Sequence, residues 1–331
     1  MLAEDLQEQL RRATVALTAT DGPAPLRGED IFESNPDYPR SWDEFIGQSR
    51  VKARMRAAIA SAKQRGARLD HTLIATGQSG AGKTALAKLV AFDMGVGLVE
   101  MAGKVTAEEA RKTISGMQDG DSLLVDEVHQ LGRRGSEWLL HLLQDGGFMT
   151  ATGFQKMPDI TVIAATTDAG VLPETVLNRF PVRPQFEAYT ADEASQIAQQ
   201  LAARTGITLD DDTAHRVARA CRGSSRDMKA LLIALRDAAF ATEEGTFELA
   251  LEWTGLTYDG LTRQMSDYLT TLVARCQGRA GLATIASIMG EPGPLHHTEK
   301  ALMQLGYITI EPNGRKATAE GLKRVRELLG V

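Results

Sequence analysis

Gly77-Gln78-Ser79-Gly80-Ala81-Gly82-Lys83-Thr84 is the segment that most narrows what this chain can fold into. It matches G-x-x-x-x-G-K-[ST] at every fixed position, and the pattern has a mechanical meaning. Glycines let successive backbone N–H groups curl around a phosphate, while the helix that follows aims its positive end at the same charge. Lys83 reaches the β- and γ-phosphates, and the Thr84 hydroxyl ligates Mg²⁺. Such a loop works only between a buried strand and a helix. Both flanks are present: Thr72-Leu73-Ile74-Ala75 is a short apolar run, and helical pattern extends from Thr84 to Met94. ATP with Mg²⁺ is the expected ligand, held by Gly77, Gly80, Gly82, Lys83, Thr84 and the adjoining Ala85.

The loop also fixes the fold class. Further strands are expected at Leu98-Val99-Glu100, Ser122 to Val125 and Ile160 to Ala165, each separated from the last by helical pattern. Alternation of this kind predicts an α/β fold, a parallel sheet with helices on both faces. Ser122-Leu123-Leu124-Val125 runs into Asp126-Glu127, so two carboxylates stand at a strand's C-terminal end, where such sheets keep their ligand crevice. Asp126 suits the metal and Glu127 suits polarising the attacking water. Thr166-Thr167 closes the next strand, where a hydroxyl could hold that water. Arg226 begins a helix, a place the dipole disfavours for a cation, which hints at an anionic ligand. Arg179 follows a helical segment after Pro173 and, taken alone, reads as a solvated arginine.

Beyond Tyr189 the strand signal stops, and helical pattern runs to about Leu251. From Gly255 onward come helices, then Tyr307-Ile308-Thr309-Ile310, a turn at Pro312-Asn313-Gly314, and Lys316-Ala317-Thr318. That is the outline of a winged helix. A net charge of −6 argues against a protein that coats nucleic acid over its whole surface, while leaving room for a local basic face. No apolar run approaches membrane-spanning length, so no membrane partner is expected. The acidic start, Met1 to Leu6, does not read as a secretory signal. Cys221 and Cys276 lack metal-ligand spacing and read as reduced thiols, in keeping with a cytoplasmic protein. Leu6, Leu10, Ala13 and Leu17 recur at helical spacing, which predicts an amphipathic helix over residues 4–18 before a linker dense in Pro and Gly.

Taken in order, six segments resemble RuvB, the hexameric AAA+ ATPase that drives Holliday-junction branch migration. They are Ser41 to Gln48, Leu69-Asp70-His71, the phosphate loop, Val125-Asp126-Glu127-Val128-His129, Ala164 to Gly170 and Arg222-Gly223-Ser224-Ser225-Arg226. Gly281 to Ala286, Leu305-Gly306-Tyr307 and Gly314-Arg315-Lys316-Ala317-Thr318 resemble the family's winged helix. The resemblance covers about residues 39–320. It implies an AAA+ P-loop domain over 41–187, a helical lid over 188–254 and a DNA-binding winged helix over 255–331, preceded by an N-terminal helix and linker over 1–40. It further implies that Thr167 acts as sensor 1, that Arg179 is an arginine finger offered to a neighbouring subunit, and that Arg226 is sensor 2. Tyr189 matches a nucleotide-contacting tyrosine, and Arg315, with Lys316 beside it, a DNA contact on the wing. Implied partners are DNA, a hexameric ring of the chain itself and the junction-binding protein RuvA. An AAA+ loader or remodeler that places another protein on DNA is the alternative, since it uses the same ATP-site residues.

Three departures from the family pattern stand out. Tyr38 replaces the usual arginine before Pro39. The wing is poorer in arginine. The segment from Asp145 to Pro158 is shorter than the hairpin by which the family docks RuvA, so docking of the usual kind is not expected.

Overall fold

The computed structural model describes residues 23–33, 36–76, 80–151, 153–242, 244–290 and 295–330. The helix expected over 4–18 lies outside these residues. The described chain divides into two compact units, one comprising residues 1–197 with 223–225, the other 198–222 with 226–331.

The first unit is built on a parallel sheet. Its strands are β1 (Thr72–Ala75), β2 (Leu98–Ala102), β3 (Ser122–Asp126) and, after a small hairpin, a strand at Thr161–Thr166. The hairpin strands are β4 (Gly147–Thr150) and β5 (Gly153–Lys156), which makes the later strand β6. Spatial order is β1-β6-β3-β2, every neighbour pair parallel. Leu123, Leu124, Val125 and Val162 to Ala165 are fully buried on alternate faces, as a sheet covered on both sides requires. One face packs under the helices Ser49–Arg65 and Lys83–Met94, through Met55, Ile59, Leu86 and Leu89. The other packs under Ala107–Ser115 and Gly132–Asp145, through Ile114, Trp138 and Leu139. The expected α/β layering is therefore observed, with the strand limits displaced by a residue or two.

The hairpin resolves what the short segment after Asp145 does. Phe148 is buried and its ring stacks on Trp138 at 5.8 Å, whereas Met149 (65% exposed) and Phe154 (49%) face outward. Phe148 is core, and Met149 and Phe154 are the large apolar side chains of the described hairpin residues that stay exposed. Tyr38 likewise joins the core: its ring lies 5.1 Å from the ammonium of Lys88, a buried lysine also paired with Glu100.

The second unit carries the helices Asp211–Ala220, Ser225–Ala241 and Thr246–Thr254, then a winged helix. The latter holds helices Arg263–Thr270, Leu282–Met289, His296–Gln304 and Ala319–Leu329 around a three-stranded antiparallel sheet. The sheet order is β7 (Arg279–Ala280), β9 (Gly314–Ala317), β8 (Ile308–Glu311). Sequence reading placed the hairpin of β8 and β9; the two-residue β7 gave no pattern to detect. Among the described residues no helix is long and apolar enough to cross a membrane.

Candidate nucleotide site

The ends of β1, β3 and β6 converge, and the polar residues they carry meet there. Lys83 opens the helix after the loop and is buried at 7% exposure, its Nζ 4.0 Å from Glu127 Oε1. Thr84 Oγ1 donates to Asp126 Oδ2 at 3.4 Å, a long contact that leaves room for a cation between hydroxyl and carboxylate. Among the described residues no group of three or more His, Cys, Asp or Glu could hold a metal unaided. One carboxylate and one hydroxyl suit Mg²⁺, which keeps water and phosphate oxygens as its other ligands. Ala85 is buried behind the loop. Gly77 falls outside the described residues. Gly80 and Gly82 hold φ of 73° and 95°, left-handed values that open the loop's curl and exclude most side chains.

Glu127 takes a left-handed φ of 49°, unusual for a residue with a side chain, and this turns its carboxylate out of the strand line. Thr167 Oγ1 donates to Glu127 Oε2 at 3.1 Å. So the strand-end threonine and the acidic pair, forty residues apart, do come together. Gly103, just past β2, presses on the same spot: a Cβ there would stand 2.1 Å from the Glu127 carbonyl oxygen. Sequence reading did not single it out, because its requirement comes from β2 lying beside β3.

Tyr189 is also at the loop. Its hydroxyl donates to the Ala81 carbonyl at 2.9 Å, and burial pushes its pKa up to about 12, so it stays a neutral donor. Ser225 caps the neighbouring turn, Oγ donating to Gly80 O at 2.8 Å. His129 lies behind Glu127, Nδ1 3.2 Å from Oε2. Neither Ser225 nor His129 was read as a site residue, since a serine and a histidine have no spacing rule relative to the loop.

Arg179 is exposed and donates to Gln144 Oε1 at 2.7 Å, on the surface of the first unit. Arg226 is exposed in the first turn of its helix in the second unit. Arg315, expected as a free wing cation, is engaged. Its guanidinium forks onto Glu299 at 2.6 and 3.0 Å, and Tyr268 donates to the same carboxylate at 2.7 Å. Burial alone would raise the Glu299 carboxyl; the bonds from Arg315 and Tyr268 outweigh it and hold it below the ordinary value. Lys316, more than half exposed, lies 3.9 Å from Glu311, which Arg279 also pairs.

Comparison with known proteins gives the same outline. Residues 38–186 match the model of the Holliday junction DNA helicase RuvB P-loop domain, and residues 258–326 match that of the RuvB C-terminal winged helix domain. The Holliday junction branch migration complex subunit RuvB of Rubrobacter xylanophilus is 32% identical, over 91% of each chain. That of Myxococcus xanthus is 34% identical, over 88% of this chain and 90% of its own. Among solved structures, the Thermotoga maritima RuvB Holliday junction branch migration motor superposes with a TM-score of 0.77 at 27% identity. That match covers 88% of this chain and 98% of the other. With both family domains present in order and relatives above 30% identity along nearly the whole chain, this chain belongs to the RuvB family.

Proposed function

We propose that this protein is an ATP-driven motor that moves Holliday junctions, working as a ring of identical subunits, a hexamer by family likeness, in the cytoplasm. The observation that carries the reading is the convergence of Lys83, Thr84, Asp126, Glu127 and Thr167 at one crevice, in a chain that also bears a winged helix. In this reading Gly77, Gly80, Gly82, Lys83, Thr84 and Ala85 cradle the phosphates, and Tyr189 steadies the loop through Ala81. Thr84 and Asp126 hold Mg²⁺, which would neutralise charge on the β- and γ-phosphates. Glu127 takes up the proton side of the attacking water, and Thr167 orients that carboxylate. Arg179, exposed on the first unit, serves the nucleotide of a neighbouring subunit, and Arg226 acts as sensor 2 from the lid. Residues 41–187, 188–254 and 255–331 then act as motor, lid and DNA-contacting module. The loader alternative lacks a specific observation in its favour.

The partner reading is narrower. Met149 and Phe154 give the hairpin a small apolar tip, and with four-residue strands its arm is about 13 Å long. A partner of RuvA type would bind it weakly, or bind elsewhere. The experiment is branch migration of a synthetic junction by purified protein, with and without RuvA. Glu127→Gln should bind ATP, hydrolyse it only at a small residual rate and fail to move the junction. Hydrolysis at the wild-type rate in that variant would defeat the site assignment.

A further inference from the structure

Behind the hydrolytic carboxylate lies a run of polar contacts that this scheme leaves unused. Asp168 N–H donates to Thr166 Oγ1 at 3.0 Å, and Thr166 Oγ1 lies 3.0 Å from His129 Nδ1. The same Nδ1 lies 3.2 Å from Glu127 Oε2, the oxygen that already accepts from the Thr167 hydroxyl. Glu127 Oε1 points the other way, toward Lys83.

We propose that His129 is a positioning residue for ATP hydrolysis, which fixes Glu127 Oε2 so that Oε1 is the oxygen presented to the attacking water. The inference rests on Glu127 being the water-polarising group. Its physical basis is torsional. A glutamate with one hydrogen bond can still swing its carboxylate about that contact. A donor and a close ring contact reaching one oxygen from different elements, the end of β6 and the 3₁₀ turn Val128–Leu131, limit that freedom.

The geometry also selects the tautomer. A bare Nδ1 would set its lone pair against a carboxylate oxygen at 3.2 Å, which is repulsive; an Nδ1–H is attracted. Thr166 accepts the Asp168 N–H with one lone pair and keeps a second for the Nδ1–H, which is bonded to that hydroxyl and lies against the carboxylate oxygen at 3.2 Å. The imidazole borders an open cavity of about 420 Å³ lined also by Leu140, Leu172 and Val176, and its side chain is only 16% exposed, so truncation removes packing as well as the N–H. The Asn variant separates the two losses, since it restores the N–H and not the ring.

The test measures ATP turnover and nucleotide affinity of the full chain with Mg²⁺ and junction DNA. His129→Ala should lower kcat by about tenfold or more, with KM and nucleotide affinity moving less than about twofold. His129→Asn, whose amide N–H falls near the Nδ1 position, should recover most of that loss. In a Glu127→Gln background, single-turnover rates should change less than about twofold on adding His129→Ala, because the group being positioned is gone. Wild-type kcat in His129→Ala would overturn the proposal. So would equal loss in the Ala and Asn variants, or an undiminished tenfold effect in the Glu127→Gln background. The underlying site reading fails separately: there, Glu127→Gln itself turns over like wild type. A Glu127→Gln variant that is inactive beside a fully active His129→Ala refutes the role of His129 alone.

Discussion

At the phosphate loop the contacts of Lys83 and Thr84 with the two acids are long, whereas those of Arg315 and Arg324 in the winged helix are short. Lys83 stands 4.0 Å from Glu127 and Thr84 3.4 Å from Asp126, too far for strong bonds. In the winged helix, Arg315 forks onto Glu299 at 2.6 and 3.0 Å, and Arg324, 6% exposed, reaches Asp259 at 2.7 Å. Tyr307 donates to the other oxygen of Asp259 at 3.0 Å. The difference separates two uses of charge. Groups meant for a ligand are held near one another without satisfying one another, so that phosphate and metal can complete them. Groups that hold a fold together pair at short range, because an unpaired buried charge is costly, although the Nε of Arg324 finds no partner among the described residues. Arg315 has the second signature although its place in the sequence suggests the first.

The sharpest way to break this comparison is at Arg179. Its single bond to a neutral amide on an exposed surface marks it as a ligand-type cation. As a finger acting on a neighbour, its loss should cost about 10³-fold or more in kcat. Mixing Arg179→Ala with Lys83→Ala subunits should restore part of the rate, since each supplies what the other lacks. Full ATPase activity in a demonstrably monomeric sample would end this reading.

Arg315→Ala should act mainly on stability. It leaves Glu299 buried at 3% exposure beside Tyr268 without a counter-charge, a loss of about 3 kcal/mol given that the arginine is partly exposed. Urea unfolding of Arg315→Ala against Arg315→Ala/Glu299→Gln checks this: the second change should recover part of the loss. If Arg315→Ala unfolds like wild type and loses DNA binding, Arg315 is a DNA contact and the contrast collapses.

His71 sharpens the comparison with pH. Burial, with Arg68 nearby, pulls its pKa down from 6.5 to about 4, and its Nδ1 accepts the Val162 N–H at 3.0 Å. The folded state keeps this ring neutral while the unfolded chain protonates it below pH 6.5. The stability it contributes is whole above that pH and is lost as pH falls toward 4, by up to about 3 kcal/mol. His71→Asn retains an acceptor near Nδ1 and cannot titrate, so its denaturant midpoint should fall less between pH 6.5 and 4. An identical acid limb in both proteins would disprove the assignment.

The smallest effect is expected at Lys316, more than half exposed and 3.9 Å from a carboxylate that Arg279 also holds. If it meets a phosphate, Lys316→Ala should flatten the salt dependence of DNA binding by about one unit of slope. An unchanged slope would place the DNA contact off the wing.

Local elements were the legible part of this molecule. The strand Thr72–Ala75, the helix after the loop and the hairpin at 308–317 follow from apolar runs and turn residues that sit next to one another in the chain. What stayed hidden depends on register between distant segments. Glu299 lies on a helix and Arg315 on β9, and nothing in their spacing tells that they face each other. His129 meets Thr166 only because β3 and β6 end side by side. The hairpin was legible only as a shortened segment; that Phe148 turns inward depends on Trp138 facing it from the preceding helix.

Gly103 carries no functional group, yet the Glu127 carbonyl occupies the place where its side chain would be. Substitution at position 103 should therefore cost activity although no group that could touch the nucleotide is lost. Gly103→Ala is expected to displace the Glu127 backbone, lowering both the unfolding temperature and the rate of hydrolysis. What the glycine supplies is room for a neighbour's backbone, the width of one methyl group.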